Sequence, residues 1–539
     1  MFGILVAGVV TVICLFIHHQ YYQKKNAFLK LPPGPKPLPI VGNIFDLPPP
    51  GTPEFQHWLK FKNLYGPISS ITVLGRTMII LNDKQAADDI LNKLSLKTSS
   101  RPKSVFAYEL CGFQNFTPGR SCDATFRLHR RFMHQQAGTK AIAAQYHGIH
   151  DVESRRLLKR SLDDPNNLVQ HFKTGTAAMI LKIVYSYSIE PNAADPLVEL
   201  IDEMMSNFSE AMVPSSRLVD LIPALKHLPD WFPGTSYKET ARQWNKINHD
   251  TVNFPYSFVK RQMASGTHRP SMVSDLIERY TSANPRNGEM DHDKEDAIKW
   301  AAGIMYGGGS DTTVAALTSF ILAIALFPDA QQRAQEEIDG LIGAHPERLP
   351  QFEDQGRLPY TSALVKEVLR WYGIVHISTA HVADEDITYG GYCIPKASYL
   401  LPIVWWFHHD PQTYRDPFVF SPESFLEPRN EPEPDEAFGW GRRICPGRYI
   451  SDDNLFITIA RILAVFNIAK AVDRQGNSIG FQVEYTPGLV SHPAKLPSTL
   501  ITARSERHEE LIRCIEVDHP SEKSDASLLE TEEGLKTSK

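Results

Sequence analysis

One cysteine stands where its thiolate could serve as a metal ligand. Cys445 lies in the stretch FGWGRRICPGRYIS, residues 438–451, behind an aromatic ring, glycines and arginines and just ahead of an apolar, helix-like run. The thiolate, not the thiol, binds metals, so a ligand role requires surroundings that favour negative charge. The alternative is that Cys445 is a small hydrophobic side chain buried in a core.

The residues after Cys445 predict a helix that begins beside the sulfur. Pro446 suits the first turn of a helix, which is predicted to run to Ile468. Apolar residues recur at helical spacing along it: Ile450, Leu455, Ile459, Ile462 and Phe466. Cys445 would then lie at the helix N-terminus, where free N–H groups and the helix dipole stabilise a thiolate.

The residues around Cys445 suit a flat ligand. Gly441 and Gly447 leave room for close approach of the backbone. Phe438 can shield the sulfur, and Arg443 can pair with a carboxylate. A single thiolate does not hold zinc or an iron–sulfur cluster, which take several ligands, whereas haem takes one axial ligand.

The stretch FGWGRRICPG matches F-x-x-G-x-R-x-C-x-G and so resembles the haem-binding signature of the cytochrome P450 family. The matching positions are Phe438, Gly441, Arg443, Cys445 and Gly447. The resemblance implies haem b as cofactor, with Cys445 as the axial ligand of the iron and the other four residues in the cofactor site. No C-x-x-C-H occurs, so covalently attached haem is not expected.

A second segment, GGGSDTT at 307–313, resembles the A/G-G-x-D/E-T-T/S motif of the same family. It lies in a predicted helix from about 296 to 326, and its glycines weaken that helix and can open a local bulge. The resemblance implies that Asp311 and Thr312 face an oxygen pocket and relay protons through water as the catalytic residues. A glycine-rich helix end or hinge is the alternative.

Two further residues resemble donors to the haem propionates. FRLHRRFMHQQ, residues 126–136, is similar to the family's W-x-x-x-R helix, with Phe126 in place of tryptophan and Arg130 as the donor. His381, in HISTAH, resembles another propionate donor. The alternatives are a solvated basic helix face for Arg130 and a plain surface histidine for His381.

The segment EVLR at 367–370 resembles the family's E-x-x-R because it lies between the glycine-rich helix and the cysteine loop. The resemblance implies that Glu367 and Arg370 form a structural ion pair. In the family an arginine of P-E-R-F joins that pair, but Ser424 occupies its position here. We expect Ser424 itself, or Arg429, to supply the missing donor.

The HHDP stretch at 408–411 matches a family loop and is taken as structural rather than metal-binding.

The elements that must position these residues predict one fold class. Apolar residues at helical spacing run from about 54 to 350, interrupted by strand-like runs near 68–82 and followed by strands and turns at 386–407. We therefore predict a mainly α protein with small β-sheets: a single large haem domain of cytochrome P450 type, residues 44–505, plus an N-terminal transmembrane helix. Residues 506–539 are polar and are predicted to be a disordered tail.

The N-terminus predicts a membrane anchor. Residues 2–17 carry no charge and span roughly 24 Å as a helix, close to the ~27 Å of a reticulum bilayer. Lys24 and Lys25 follow the apolar run, which favours a retained signal anchor, residues 1–22, over a cleaved signal peptide. A proline-rich linker, 23–43, follows. The predicted location is therefore single-pass in the endoplasmic reticulum membrane, with the catalytic domain in the cytosol.

Composition narrows the partners. The formal charge of −6 gives no reason to expect a nucleic-acid partner. Six scattered cysteines argue against a disulfide framework and for a reducing compartment. No G-x-G-x-x-G fingerprint or flavin domain is visible in the sequence. The resemblance therefore implies that electrons come from NADPH through a separate cytochrome P450 reductase.

The resemblance implies a monooxygenase that uses O2 to hydroxylate or otherwise oxidise a lipophilic small molecule. Apolar and aromatic segments with a few polar groups should line its pocket: 104–116, 301–306, 373–379 and 487–491. Gly373 and His376 depart from the family by replacing prolines. TPGLVSHP, 486–493, resembles the tails of fungal secondary-metabolite enzymes. Two alternatives remain, an isomerase or dehydratase that uses no oxygen and a non-catalytic haem sensor.

Overall fold

The computed structural model describes residues 30–191, 193–213, 217–282, 290–470 and 481–529. The predicted membrane anchor, residues 1–22, and the first part of the linker lie outside these ranges. The chain divides into two compact units. Of the described residues, the smaller unit comprises 30–102 together with Ile377–Phe407 and Trp440–Arg443, and the larger unit comprises the others.

The smaller unit is built on a four-stranded sheet. Strands β1 (Ile68–Val73) and β2 (Arg76–Leu81) form an antiparallel hairpin. Its two-residue turn places Leu74 and Gly75 at positive φ, the conformation that a tight hairpin requires. The strand order is β1-β2-β6-β3, with β2 and β6 parallel. These strands confirm the predicted strand runs near 68–82.

The other elements of the smaller unit are short. Helices α1 (Glu54–Tyr65), α2 (Lys84–Asp88) and α3 (Ser95–Thr98) come first in the chain. The later strands are β3 (His381–Val382), β4 (Ile387–Tyr389), β5 (Tyr392–Ile394) and β6 (Tyr399–Pro402), with β4 and β5 forming a separate two-stranded sheet. Buried aliphatic side chains of β1, β2, α2 and β6 form its core with Trp440.

The larger unit is mainly helical, as predicted. Its helices are α4 (Ala124–Ala137), α5 (Lys140–Ala143), α6 (His147–Asp163), α7 (Leu168–Tyr185), α8 (Pro196–Ala211), α9 (Leu218–Leu221), α10 (Tyr237–Ala264), α11 (Met272–Ser282), α12 (His292–Leu326), α13 (Pro328–Ile342), α14 (Pro359–Trp371), α16 (Arg448–Val465), α17 (Glu506–Arg513) and α18 (Ile515–Asp518). The short helix α15 (Val404–His408) belongs to the smaller unit except for His408. Strands β7 (Phe466–Lys470) and β8 (Thr499–Ala503) pair antiparallel.

Helix α12 is the central element of the larger unit. It packs against α4, α7, α8, α11 and α16. Its best window has a mean hydropathy of 1.5, and it is the one helix of the described residues long and apolar enough to cross a membrane. Because 78% of that window is buried inside the protein, α12 is the helix of a protein core.

The helix after Cys445 is shorter than predicted at both ends. It begins at Arg448 with Gly447 as its N-cap, so Pro446 lies in the turn before it. It ends at Val465, and Phe466 and Ile468 belong to strand β7, where buried and exposed residues alternate. The apolar spacing suggested that the helix continues through Phe466 and Ile468. These residues form a strand instead, because they pair with residues 499–503, which are distant in sequence.

The prediction of a disordered tail is wrong for residues 506–529. Ile512 and Ile515 on α17 and α18 are buried in the core of the larger unit. The polar groups that suggested disorder have partners: Glu522 pairs with Lys182, and Asp525 pairs with Arg269. Composition therefore misled, because these charges are used in ion pairs with the helical core. Residues 530–539 lie outside the described ranges.

Candidate active site

The cysteine loop places the sulfur just ahead of helix α16. The Cys445 N–H donates to the Phe438 carbonyl at 2.8 Å, which closes the loop. Burial raises the pKa of the Cys445 thiol, while a hydrogen bond from the main chain of Gly447 and the charge of Arg130 lower it. Burial is the largest of these influences, so the pKa of the Cys445 thiol stays above its ordinary value, and the Gly447 hydrogen bond and the Arg130 charge only oppose that rise.

The two glycines of the signature, Gly441 and Gly447, differ in how closely their neighbours approach. A Cβ at Gly447 would lie 4.0 Å from the Cys445 sulfur, an ordinary contact. Gly441 lies in the smaller unit at φ +50°, where a Cβ would be 2.8 Å from the Leu91 carbonyl oxygen. The sequence suggested that Gly441 makes room for a flat ligand. The structure shows that the neighbouring main chain also requires a glycine at this position.

Arg130 is a largely buried cation on helix α4. Asp123 caps this helix by accepting the Phe126 N–H at 2.7 Å, and Phe126 packs inward. Arg127 and Arg131 are exposed and form the solvated basic face of the helix, whereas Arg130 does not lie on that face. Burial lowers the pKa of Arg130, opposed by the nearby thiols of Cys445 and Cys122. Within the described residues, Arg130 makes no hydrogen bond or ion pair.

The smaller unit holds a separate group of basic residues, of which Arg101 and His381 are buried and Arg443 is partly buried. Arg101 donates to the carbonyls of residues 379 and 380, at 2.8 and 2.9 Å, and Arg443 donates to Ser99 at 2.8 Å. His381 is 1% exposed, which rules out a surface histidine, and its Nδ1 lies 2.8 Å from the Thr98 carbonyl. Burial and then the charges of Arg101 and Arg443 hold the pKa of His381 well below its usual range.

In each unit taken by itself, the basic groups suit an anionic ligand such as the propionates of the haem that the signature implies. Arg130 in the larger unit is a desolvated charge that needs an anion, and main-chain carbonyls fix Arg101 and Arg443 in the smaller unit. A carboxylate such as a haem propionate would supply that anion through charge-assisted bonds. The described residues contain no group of three or more His, Cys, Asp or Glu side chains that could hold a metal ion by themselves.

Helix α12 continues unbroken through its glycines, so the expected bulge is not present. A Cβ at Gly307 would lie 2.9 Å from Met204 and Met205, and one at Gly309 would lie 2.9 Å from Ile180. These glycines let α8 and α7 approach closely. A Cβ at Gly308 would meet nothing within 4 Å, so this residue faces open space.

The hydroxyls near Asp311 are satisfied within α12. Thr312 donates to the Gly308 carbonyl at 2.6 Å, and Ser310 and Thr313 make the same bond one turn back at 3.0 and 2.8 Å. Asp311 instead bonds His492 at 2.9 Å. Sequence reasoning missed His492, and no local pattern marks it, because its partner lies 181 residues away.

The Glu367–Arg370 pair is completely buried, with side chains 0% and 1% exposed. Arg370 donates two bonds of 2.7 Å to Glu367 and three more to the main-chain carbonyls of residues 408, 417 and 419. All five guanidinium N–H groups are used. The carbonyl of His408 ties the HHDP loop to this pair, which agrees with a structural role for that loop.

The family arginine that Ser424 replaces has a main-chain substitute. The Ser421 N–H donates to Glu367 at 2.7 Å. Arg429 donates to the Ser421 hydroxyl at 3.2 Å and pairs with Glu431, not with Glu367. The expectation that the side chain of Ser424 or Arg429 supplies the missing donor is therefore wrong, because a backbone N–H already does so.

Most of the predicted pocket segments lie in the larger unit, and the 104–116 segment is rich in aromatic residues. Phe113 packs on Phe208 of α8 with ring centroids 5.4 Å apart, and Phe116 packs on Trp300 of α12 at 4.8 Å. His376 is buried and bonds the Tyr372 carbonyl at 2.9 Å, and burial lowers its pKa to about 4. At neutral pH this segment therefore offers an uncharged imidazole.

Comparison with known proteins agrees with this geometry. The cytochrome P450 family matches residues 32–495. The multifunctional cytochrome P450 monooxygenase af510 of Aspergillus fumigatus is 47% identical over 509 residues, 94% of this chain and 94% of that protein. The cytochrome P450 monooxygenase CLM2 of Gibberella zeae is 47% identical over 524 residues, 97% of this chain and 98% of that protein.

A third relative has a named substrate. The O-methylsterigmatocystin oxidoreductase of Aspergillus flavus is 36% identical over 519 residues, 95% of each chain. All three similarities extend through the cysteine loop and helix α12, and the family match covers both compact units of the described chain. The chain therefore belongs to the cytochrome P450 family and is a monooxygenase of the kind found in fungi.

Proposed function

We propose that this monooxygenase is a membrane-anchored enzyme of fungal secondary metabolism that oxidises a lipophilic small molecule with O2. Electrons come from NADPH through a separate reductase. The observation that carries the proposal is the apolar, aromatic packing of a predicted pocket segment: rings of the 104–116 segment pack on rings of α8 and α12, and burial lowers the pKa of His376 to about 4. The name of the relative that acts on O-methylsterigmatocystin supports a lipophilic fungal metabolite as substrate.

In the cofactor site, Cys445 is the proposed iron ligand, and Phe438 and Gly447 shape its loop. As the family resemblance implies, Arg130, Arg443 and His381 are proposed to hold the propionates. For Arg130 the support is a desolvated charge with no hydrogen bond or ion pair among the described residues, and for Arg443 and His381 it is a position fixed by the main-chain carbonyls of Ser99 and Thr98. When bound, haem supplies the activation of O2 and the insertion of one oxygen atom into the substrate.

Asp311 and Thr312 are the proposed proton relay. Both lie on the α12 segment that contains Gly308, which faces open space. The Thr312 hydroxyl can accept a hydrogen bond from water while it donates to the Gly308 carbonyl, and the Asp311 carboxylate takes up a proton and passes it on through water.

The proposed reticulum anchor is residues 1–22. A second membrane contact is supported by four exposed apolar side chains of the larger unit, Leu218, Ile222, Trp231 and Phe232. Deletion of residues 1–22 should release the protein from membranes only if the exposed side chains are also replaced, as measured by sedimentation in high salt.

The test of the proposed function uses membranes that contain the protein and a fungal NADPH–cytochrome P450 reductase. Metabolite extracts from a gene deletion strain and its parent supply candidate substrates. We expect NADPH consumption coupled to a product that carries one atom from ¹⁸O2. Product formation without NADPH would contradict the proposal and indicate an isomerase or dehydratase, and no turnover with any extract would favour a haem sensor.

A further inference from the structure

Asp311 makes its hydrogen bond outside its own helix. The hydroxyls on either side, of Ser310 and Thr312, donate to carbonyls one turn back on α12. Asp311 Oδ1 lies 2.9 Å from His492 Nε2, and an ionised carboxylate only accepts, so the imidazole donates. The side chains are 22% and 30% exposed, so this bond can open without large rearrangement.

His492 closes a small loop, residues 486–492. Its N–H donates to the Thr486 hydroxyl at 2.9 Å, and its carbonyl accepts the Thr486 main-chain N–H at 3.3 Å. The Ser491 hydroxyl donates to the Thr486 carbonyl at 3.1 Å. These bonds fix the backbone of His492, so the position of its imidazole depends on whether the loop is closed.

The other side of this loop contacts elements of the predicted substrate pocket. The Val490 N–H donates to the Ser209 hydroxyl of α8 at 3.2 Å, and the Ser491 N–H donates to the Ile374 carbonyl at 2.8 Å. Gly488 has φ +104°, and a Cβ there would lie 2.6 Å from the Ser209 hydroxyl. The loop therefore lies closely against α8 at one end and against α12, through His492, at the other.

We propose that His492 is a positioning residue that holds the Asp311 carboxylate while loop 486–492 is closed on α8. Proton delivery then depends on the state of a loop that contacts the substrate pocket, so that a substrate which closes the loop also sets the acid in place. The inference rests on the proposed function in one respect, the role of Asp311 in the proton relay.

Hydrogen exchange of the full-length, haem-loaded protein reports the loop directly. The N–H groups of Val490, Ser491 and His492 are hydrogen-bonded, so they exchange only when the loop opens. His492→Leu should speed their exchange about fivefold, the factor that loss of one ordinary hydrogen bond produces. His492→Gln keeps a donor nitrogen at similar reach and should restore slow exchange.

The hydrogen-exchange experiment also includes a variant of the bonding partner, Asp311, and a control variant at Lys495. Asp311→Ala should speed exchange as much as His492→Leu, and the double variant should add nothing further, because both remove the same bond. Lys495→Ala, which breaks an exposed ion pair with Glu484 beside the loop, should leave the exchange unchanged. Additive effects of His492→Leu and Asp311→Ala would overturn the proposed link.

The catalytic arm measures hydrogen peroxide formed per NADPH consumed, with the reductase present. Asp311→Ala and His492→Leu should raise this fraction to a similar extent, and His492→Gln should return it toward the parent value. If Asp311→Ala and Thr312→Ala change the fraction but His492→Leu does not, His492 is only structural and the inference is overturned while the proposed function stands. If neither Asp311→Ala nor Thr312→Ala changes it, the proton relay of the proposed function fails, and the inference with it.

Discussion

Two arginines of the larger unit are buried in opposite ways. Arg370 on α14 donates all five of its N–H groups, two to Glu367 and three to main-chain carbonyls. Arg130 on α4 donates none within the described residues, and burial lowers its pKa. A saturated buried charge holds structure together, whereas an unsaturated one costs stability and indicates a place for an anionic ligand.

The largest effect is expected from breaking the saturated pair. Glu367→Ala leaves Arg370 charged and buried without its counterion, which should cost about 3–5 kcal/mol in the free energy of unfolding and abolish haem incorporation. Arg429→Ala is the matched control, because Arg429 contacts Ser421 and Glu431 but not Glu367, and should cost only about 1 kcal/mol. Thermal midpoint and haem per protein measure both. Full haem occupancy in Glu367→Ala would refute a structural role for the pair.

His376 shows a third way to bury a basic side chain, as a neutral imidazole. Burial lowers its pKa to about 4, so between about pH 6.5 and pH 4 the unfolded state binds a proton that the folded state does not. Stability should therefore fall as the pH is lowered through this window, by up to about 3 kcal/mol from His376 alone. His376→Phe should flatten the profile of unfolding free energy against pH; a profile that does not change would show that His376 is protonated in the folded protein.

The neighbouring glycines of α12 separate packing from function. Gly309→Ala would press a methyl group against Ile180 and should destabilise the protein by about 1–2 kcal/mol. Gly308→Ala points into open space and should be neutral or stabilise by up to about 1 kcal/mol, yet lower turnover, since the added methyl narrows the pocket beside Thr312. Urea unfolding and NADPH turnover measure the two effects. Equal loss of stability in both variants would contradict the assignment of Gly308 to an open face.

The smallest expected effect is a gain in the free energy of unfolding, whereas Glu367→Ala is expected to lower it. Arg130→Leu removes a desolvated charge with no described partner, so the haem-free protein should gain about 1 kcal/mol of stability. The haem-loaded protein should lose haem to an acceptor protein roughly tenfold faster, because a charge-assisted bond to a propionate is lost. Arg127→Leu, on the exposed face of α4, is the control. Destabilisation of the haem-free protein would mean that Arg130 has a structural partner.

The sequence was informative where local chemistry decides the structure. The hairpin near 68–82 and the course of α12 followed from β-branched runs and helical spacing. The cysteine loop was recognised because its glycines, arginine and cysteine have a fixed spacing. The extent of α16 was overestimated, since apolar spacing alone does not show that Phe466 pairs with Ala503 in a sheet.

Long-range partners could not be predicted from sequence patterns. The bond between Asp311 and His492 joins segments 181 residues apart. The substitute for the arginine missing at Ser424 is a main-chain N–H, which every residue carries and no composition reveals. The tail appeared disordered because its charges were counted without Lys182 and Arg269, which pair with them.

The most direct test of the account is the ferrous–CO spectrum of Cys445→Ala, compared with Cys111→Ala. Cys111 is a second buried thiol, outside the cysteine loop, and burial raises its pKa to about 12. Burial raises the pKa of Cys445 too, but there the Gly447 main-chain hydrogen bond and the charge of Arg130 oppose the rise. The account predicts that Cys445→Ala loses the red-shifted Soret band of thiolate ligation and that Cys111→Ala retains it. A red-shifted band that persists in Cys445→Ala would contradict the assignment of the haem ligand.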